Sequence, residues 1–235
     1  MSVISAKRFY KAVSVAQGDD GWTVLLDARP LKTPGGKPLA IGAQALAEAI
    51  AVEWDEQVEK IAPETMPIFR LLATGIDRVA ARRDEVIAAT LKYAETDLLC
   101  YRADQPPDLA ELQERRWQPM VDWAQQNFGA DLKVTAGILP IDQPPAALAA
   151  LRNAVADFDD LGLTGLSMLA GATSSLVLAL AMAHARIDAE EGGALALLDE
   201  QFQADHWGED DEARERRDRT RAEIAVTMRF LNLIG

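Results

Sequence analysis

The chain of 235 residues is short of cysteine and histidine, which limits the disulfides and metal sites it can form. Its single cysteine, Cys100, excludes an intrachain disulfide and gives no reason to expect an oxidising compartment. The only histidines, His184 and His206, are too few for a three-histidine metal site. Histidine-based catalysis therefore has two candidates at most.

Positive charge is also scarce, because 24 Lys and Arg residues face 37 Asp and Glu residues, for a net charge of -13. A surface of this sign repels nucleic acid and anionic lipid, so we expect no nucleic-acid partner. The first residues show neither the apolar core of a signal peptide nor an Arg- and Ser-rich transit extension. We therefore expect a cytoplasmic location.

Charge is missing altogether from residues 161–185, LGLTGLSMLAGATSSLVLALAMAHA. A run of this length could span a bilayer, which would make the protein a membrane-attached scaffold. Several glycines, Thr173, Ser174 and Ser175 lower its hydropathy, however, and no Trp or Tyr flanks it. A helix that is apolar all round is either a core helix or a membrane span, and here we favour a buried central helix from Leu166 to Arg186, with no stable membrane insertion.

The segment LLDARPLKTPGGKPLAI, residues 25–41, carries a Pro-Gly-Gly-Lys cluster that could cradle phosphate. A phosphate loop needs a glycine earlier in the spacing and a hydroxyl after its lysine, whereas Lys37 is followed by Pro38. The closely spaced prolines and glycines, Pro30, Pro34, Gly35, Gly36 and Pro38, suit a tight strand connection instead. We therefore expect no bound nucleotide or other cofactor here.

The chain changes its periodicity near residue 42. Alternating apolar residues on either side of QGDDG predict a hairpin, with a third short strand from Lys37 to Ile41. Leu46, Ile50, Trp54 and Val58 then mark one face of a helix that Pro63 ends. Further helices are predicted, interrupted by extended pieces near LLCYRA and LKVTAGILPI, over residues 68–81, 83–96, 109–128, 145–159, 166–186, 193–206 and 210–233.

These patterns predict an α+β protein in which a small β-rich N-terminal part, residues 1–62, precedes a mostly helical part, residues 63–235. Local motifs support no catalytic site: Ser174 and Ser175 lack a nucleophile-elbow setting, and no histidine is near Cys100 in sequence. The alternative that stays open is a small-molecule enzyme with a metal near His206, which precedes acidic residues in ADHWGEDDE.

The C-terminal helices suggest a surface rather than a catalytic centre. Leu195, Leu198 and Phe202 share one helical face, while Glu200, Gln203 and Trp207 share another at spacings of three and four. The second face is either a partner-binding patch or simply a Trp that covers a neighbouring helix beside a solvated acid. Farther on, acid-before-base pairs predict an exposed helix, at Asp210–Arg214, Glu212–Arg216 and Glu215–Arg219.

Six stretches in order resemble the signatures of one family: KRFYKAVSV, WTVLLDARPLKTPGGKPL, LAEAIAVEWDEQ, ETDLLCYRAD, WQPMVDW and QADHWG. It is the chaperone family that assembles the soluble F₁ sector of ATP synthase by handling its α subunit. The resemblance covers nearly the whole chain and implies an N-terminal α+β part followed by an orthogonal helical bundle. It implies no catalytic activity, no cofactor, no metal and no small-molecule substrate. The family has mitochondrial and bacterial members, and the lack of a visible transit extension favours a bacterial one.

The resemblance also implies which residues matter. Glu200 corresponds to a functionally important glutamate that precedes the Trp-Gly pair, here Trp207 and Gly208. Trp54 and Asp55 correspond to a Glu-Trp-Asp signature, in which we expect Trp54 to support the fold because it continues the Leu46 and Ile50 stripe.

Overall fold

The computed structural model describes residues 7–137 and 139–235, so residues 1–6, on which the expectation about targeting segments partly rests, and Ile138 lie outside the described residues. The N-terminal part begins with the predicted hairpin, in which β1 (Val13–Gly18) pairs with β2 (Gly21–Leu26). Asp19 and Asp20 form the turn. Gly21 has a φ of 120°, which a residue with a side chain rarely adopts.

The predicted third strand is wrong in its position. The strand that extends the sheet is β3 (Arg29–Pro30), which pairs antiparallel with β2. Within residues 37–41 only single bridges form, where Pro38 faces Lys32 and Ile41 faces Trp22. Arg29 and Pro30 already complete the pairing with Leu25 and Leu26, so the later segment reaches only the far end of β2.

The Pro-Gly-Gly-Lys segment is a strand connection that is hydrogen-bonded to Ile76 and Asp77. The two carboxylate oxygens of Asp77 accept hydrogen bonds from the Thr33 hydroxyl at 2.7 Å and the Gly35 amide at 2.8 Å. The Lys37 ammonium donates to the Ile76 carbonyl oxygen at 2.7 Å. The lysine and the amide that a phosphate would need are therefore already bonded within the protein.

Helix α1 (Gln44–Asp55) buries Leu46, Ile50 and Trp54 as predicted, but it ends before Val58. The side chain of Gln57 ends it, because its amide group donates to the Glu53 carbonyl while its carbonyl accepts from the Ala62 amide. Val58 was predicted on the buried stripe, and the structure leaves it 80% exposed.

The remaining helices are α2 (Pro67–Thr74), α3 (Arg83–Glu95), α4 (Pro107–Phe128), α5 (Pro145–Ala156), α6 (Asp160–Thr173), α7 (Leu176–Ala183), α8 (Ala189–Ala196), α9 (Leu198–Trp207) and α10 (Asp211–Ile234). The single helix predicted over residues 193–206 is wrong, because the chain turns at Leu197 and forms α8 and α9 instead. One turn of π-helix, Gly75–Val79, continues α2. The two extended pieces meet as a short parallel pair, β4 (Tyr101–Arg102) and β5 (Thr135–Ala136). The α+β class is confirmed.

The uncharged run is mostly buried, but the single helix predicted from Leu166 to Arg186 is wrong. The chain breaks between α6 and α7, where Ser174 has a φ of 53° and Ser175 caps α7 by accepting from the Leu178 amide. The buried carboxylate of Asp97 accepts from the Ser175 hydroxyl at 2.7 Å and the Val177 amide at 3.0 Å. None of the helices among the described residues is both long and apolar enough to cross a bilayer.

Two hydrophobic clusters form the core. One gathers buried residues between Tyr10 and Leu72 together with Phe230, and the other lies among the helices from Val79 to Met228. Helix α10 joins them, because Ile224 belongs to the second cluster and Phe230 to the first. The division of the chain at residue 62 stays a prediction.

Candidate functional site

A groove of about 450 Å³ lies between α9 and the start of α10, and it contains the three residues predicted to bind a partner. Helix α9 contributes Glu200, Gln203 and Trp207, and the turn after it contributes Gly208 and Glu209. Its other lining residues are Ala204, Asp210, Glu212, Ala213, Arg216 and Arg217. The structure thus brings together the polar face that helical spacing predicted.

The opposite face of α9 fixes its orientation. Leu198 and Phe202 are buried, and the Trp117 indole on α4 donates to the Leu195 carbonyl just before α9, at 3.0 Å. Gln113 of α4 donates to the Asp199 carboxylate at 2.7 Å. Because this face is held against α4, residues about half a turn away face the groove.

Of the three acids on α9, Glu200 is the one that lines the groove. Asp199 is turned toward α4, where burial raises its pKa, and Asp205 accepts from Gln201. Glu200 instead accepts from the Arg216 guanidinium on α10 at 3.1 Å, and its side chain is 38% exposed. The acid is therefore accessible while it bridges the two helices.

The floor of the groove holds a second ion pair that sequence reasoning missed. Arg217 is 4% exposed and pairs with Glu209 from the connecting turn. Its Nε has no hydrogen-bond partner among the described residues. The alternation of charges along α10 carries no signal that would distinguish Arg217 from its exposed neighbours, since burial depends on where α9 lies.

Trp207 is the large apolar side chain at the edge of the groove, with 70% of its surface exposed. Its ring touches Phe202 edge-on, with 6.4 Å between centroids. Gly208 follows with φ 89° and ψ 163°, a conformation essentially restricted to glycine, which turns the chain toward α10. Trp207 thus presents its ring at the end of α9, directly before the turn whose backbone conformation requires Gly208.

His206 lies outside the groove lining and shows no metal-binding arrangement. Its Nδ1 lies 2.9 Å from the Phe202 carbonyl oxygen, and its ring stacks on Phe202 with 4.0 Å between centroids. Its Nε2 is 3.7 Å from a carboxylate oxygen of Asp108. Across residues 7–137 and 139–235, no group of three or more His, Cys, Asp or Glu side chains could hold a metal ion.

Comparison with known proteins identifies the family. The model of the ATP12 chaperone protein family matches residues 7–125. The crystal structure of Atp12 from Paracoccus denitrificans is 43% identical and covers 98% of this chain and 99% of its own, with a TM-score of 0.93. This chain belongs to the ATP12 chaperone family. It is accordingly an assembly chaperone of ATP synthase and not an enzyme.

Two further relatives extend the comparison to other organisms. A putative chaperone from Agrobacterium tumefaciens is 39% identical over 97% of this chain and 86% of its own, with a TM-score of 0.91. The mitochondrial atp12 protein of Schizosaccharomyces pombe is 24% identical over 223 residues, which is 90% of this chain and 77% of the relative. The groove lies beyond the part matched by the ATP12 family model but within the length that the solved structures cover.

Trp54 and Asp55, which the sequence assigned to a family signature, lie at the end of α1. Trp54 is 6% exposed, and its ring packs edge-on against Phe69 with 5.2 Å between centroids. The Tyr10 hydroxyl donates to the Trp54 carbonyl at 2.5 Å, and Asp55 pairs with Arg8 at 3.3 Å. This geometry gives Trp54 a packing position and leaves Asp55 at the surface.

The acid-before-base pairs predicted on α10 are replaced by other contacts. Asp210 caps the helix by accepting from the Ala213 amide at 2.7 Å, and Arg214 pairs with Asp211. Arg216 reaches Glu200 on α9. The start of α10 therefore contributes to the groove of this ATP12 family member, which spacing within α10 alone could not indicate.

Proposed function

We propose that the protein binds the unassembled α subunit of the F₁ sector of ATP synthase, prevents its aggregation in the bacterial cytoplasm, and releases it for assembly with the β subunit. The observation that carries the proposal is an exposed Trp207 beside an acidic groove in a chain of the ATP12 family. Glu200, Gln203 and Trp207 are the residues we assign to client binding.

The chemistry of the groove suits an interface that is not yet assembled. A free subunit exposes apolar surface that its neighbour will later cover, together with basic and amide groups that still lack partners. The Trp207 ring can cover such apolar surface. Glu200 and Glu212 can accept from the basic and amide groups, because Glu200 is only partly engaged with Arg216 and Glu212 lies exposed at the groove.

Release requires that the client be held less tightly than its final neighbour would hold it. The ion pair between Arg216 and Glu200 lies at the surface of the groove, where such pairs are typically worth at most about 1 kcal/mol. Binding here is therefore expected to be displaced by the larger apolar interface of the assembled complex.

The test is recovery of soluble α subunit after co-expression with Glu200→Lys, Glu200→Gln and Arg216→Ala variants. We expect about a tenfold loss for Glu200→Lys and a smaller loss for Glu200→Gln, since charge reversal at an interface adds repulsion to the lost contact. Arg216→Ala is the matched control, because it breaks the same ion pair but leaves the acid on the surface.

If Glu200 acts only by holding α9 to α10, Arg216→Ala will lose as much client as Glu200→Gln, and the assignment of Glu200 to client binding fails. If the unsubstituted protein does not increase recovery of soluble α subunit, the proposed function itself fails.

A further inference from the structure

Arg217 places a charge on the face of α10 that is otherwise apolar. It lies seven residues before Ile224 and eleven before Met228, a spacing that puts all three on one side of the helix. Ile224 and Met228 belong to the hydrophobic cluster of the helical core, whereas Arg217 is charged and equally buried. A buried charge needs a partner, and Arg217 finds it in Glu209, on the turn between α9 and α10.

Polar side-chain contacts join α9 and the turn after it to α10 within the part of the chain that the structure describes: Arg216 to Glu200 at 3.1 Å, Arg221 to Gln201 at 3.2 Å, and Arg217 to Glu209. The first two lie at the surface, where such contacts are weak. The third differs because the Arg217 side chain is buried and that of Glu209 is 29% exposed. Water screens this pair less, so it holds the turn more firmly than the exposed contacts do.

The position of Trp207 depends on this turn. The Trp207 ring is 70% exposed, and it meets Phe202 only edge-on, with 6.4 Å between centroids. Side-chain packing therefore constrains the ring little, and the backbone at the end of α9 decides where it lies. That backbone continues through Gly208 directly into Glu209, which Arg217 holds.

We propose that Arg217 is a positioning residue for client binding, which fixes the turn through Glu209 and thereby sets where Trp207 presents its ring. This inference rests on the proposed function for the role of Trp207, but not for the dependence of the ring on the ion pair. Arg217 itself is too buried to contact a client. Its Nε has no hydrogen-bond partner among the described residues, which makes Arg217 a poor source of stability and favours a role in geometry.

The test measures the affinity of the full chain for purified α subunit. Arg217→Met removes the ion pair but keeps a long side chain that suits the apolar surroundings, and we expect about a tenfold weaker affinity. Arg217→Lys keeps a charge for Glu209 and should bind within about threefold of the unsubstituted chain. The matched control is Arg214→Met, which breaks the exposed ion pair with Asp211 and should change the affinity by less than about twofold.

A double-mutant cycle separates positioning of Trp207 from a merely structural role. If Arg217 acts through Trp207, Arg217→Met adds less than about twofold to the loss caused by Trp207→Ala. If the two residues act independently, their losses multiply to about a hundredfold, and the inference is overturned. Equal affinities for Arg217→Met and Arg214→Met overturn it as well, and they leave the proposed function standing.

The indole N–H resonance of Trp207, assigned by its absence in Trp207→Phe, tests the position of the ring without a client. We expect Arg217→Met to shift or broaden this resonance, while Arg217→Lys and Arg214→Met leave it in place. An unchanged resonance in Arg217→Met overturns the inference.

Two outcomes need a further readout. If Arg217→Met does not fold, Glu209→Gln breaks the same ion pair from its more exposed side, and the Trp207 resonance decides in that variant. If the unsubstituted chain does not bind the α subunit, the proposed function fails, and the resonance still decides whether Arg217 positions Trp207.

Discussion

Both cores of the protein hold the start of a helix with a buried carboxylate from elsewhere in the chain. In the N-terminal core, Glu53 accepts from the Ile68 and Phe69 amides at the start of α2, each at 2.8 Å. In the helical core, Asp97 accepts from the Ser175 hydroxyl, the Val177 amide and the Leu99 amide. The first amides of a helix have no acceptor within the helix, so a carboxylate there accepts hydrogen bonds that would otherwise go unmade.

The two acids differ in whether the helix that they contact has a side-chain cap of its own. Helix α2 has no side-chain cap from a neighbouring residue. Glu53, which lies 15 residues before Ile68 in the chain, accepts the hydrogen bonds that such a cap would accept. Helix α7 already has Ser175 as its cap. Asp97, 78 residues away, accepts hydrogen bonds from Ser175 and Val177 that hold the chain at the break after α6, and we call these contacts the Asp97 lock. Local capping and a long-range lock are thus separate tasks, and only the second joins distant parts of the fold.

The largest expected effect is the loss of this lock in Asp97→Ala. Two buried amides and a buried hydroxyl lose their acceptor, and each unmet donor costs about 1–3 kcal/mol, so we expect a loss of at least about 3 kcal/mol in the free energy of unfolding. Urea unfolding measures it. Asp104→Ala, at an exposed acid in the same segment, is the control and should change stability by less than about 0.5 kcal/mol. Similar values for both would refute the lock.

The loss of Glu53 should be somewhat smaller, because two donors are left unmet rather than three. We expect a loss of at least about 2 kcal/mol in the free energy of unfolding for Glu53→Ala and about half of that loss for Glu53→Gln, which keeps one acceptor oxygen. Glu56→Ala, an exposed acid beside the end of α1, serves as control. If Glu53→Ala matches Glu56→Ala in urea unfolding, α2 does not depend on the carboxylate and the comparison with Asp97 breaks.

The smallest expected effect is a pH dependence that sharpens the comparison. Burial raises the pKa of Asp97 to about 6, against the lowering effect of its hydrogen bonds from Val177 and Ser175. The pKa of Asp97 in the folded state lies above the unfolded value of 3.8, so the folded state binds this proton more tightly than the unfolded state does. The stability that protonation of Asp97 contributes is therefore lost as the pH rises through 6.

The measurement is the free energy of unfolding of the unsubstituted protein minus that of Asp97→Asn, from about pH 5 to about pH 7.5. We expect this difference to fall by about 1–2 kcal/mol over the range, because the amide does not titrate. A difference that stays flat or rises would show that the carboxylate remains ionised throughout.

The sequence predicts some of these features well and misses others for identifiable reasons. The hairpin is confirmed because its turn residues and alternation are local signals. Val58 was placed on a buried helix face wrongly, because the side chain of Gln57 ends α1 through a contact that periodicity does not contain. The break at Ser174 was missed for the same reason, because the hydrogen bonds that hold it come from Asp97, which is distant in the sequence.

The candidate site shows the same limit. Helical spacing correctly grouped Glu200, Gln203 and Trp207, because residues three and four apart share a face. It missed Arg217 and Glu209, whose burial and pairing depend on how α9 packs against α10. Whether the three grouped residues bind a client stays a prediction.

The sequence by itself determined the α+β class, the position of most helices and the family, because these depend on local periodicity, turn residues and motifs in order along the chain. Tertiary structure alone decided where helices break, which acids are buried, and which exposed side chains meet on one surface. The physical reason is that a buried carboxylate or a shared face depends on groups distant in the chain, whose partners become neighbours only when apolar faces pack together.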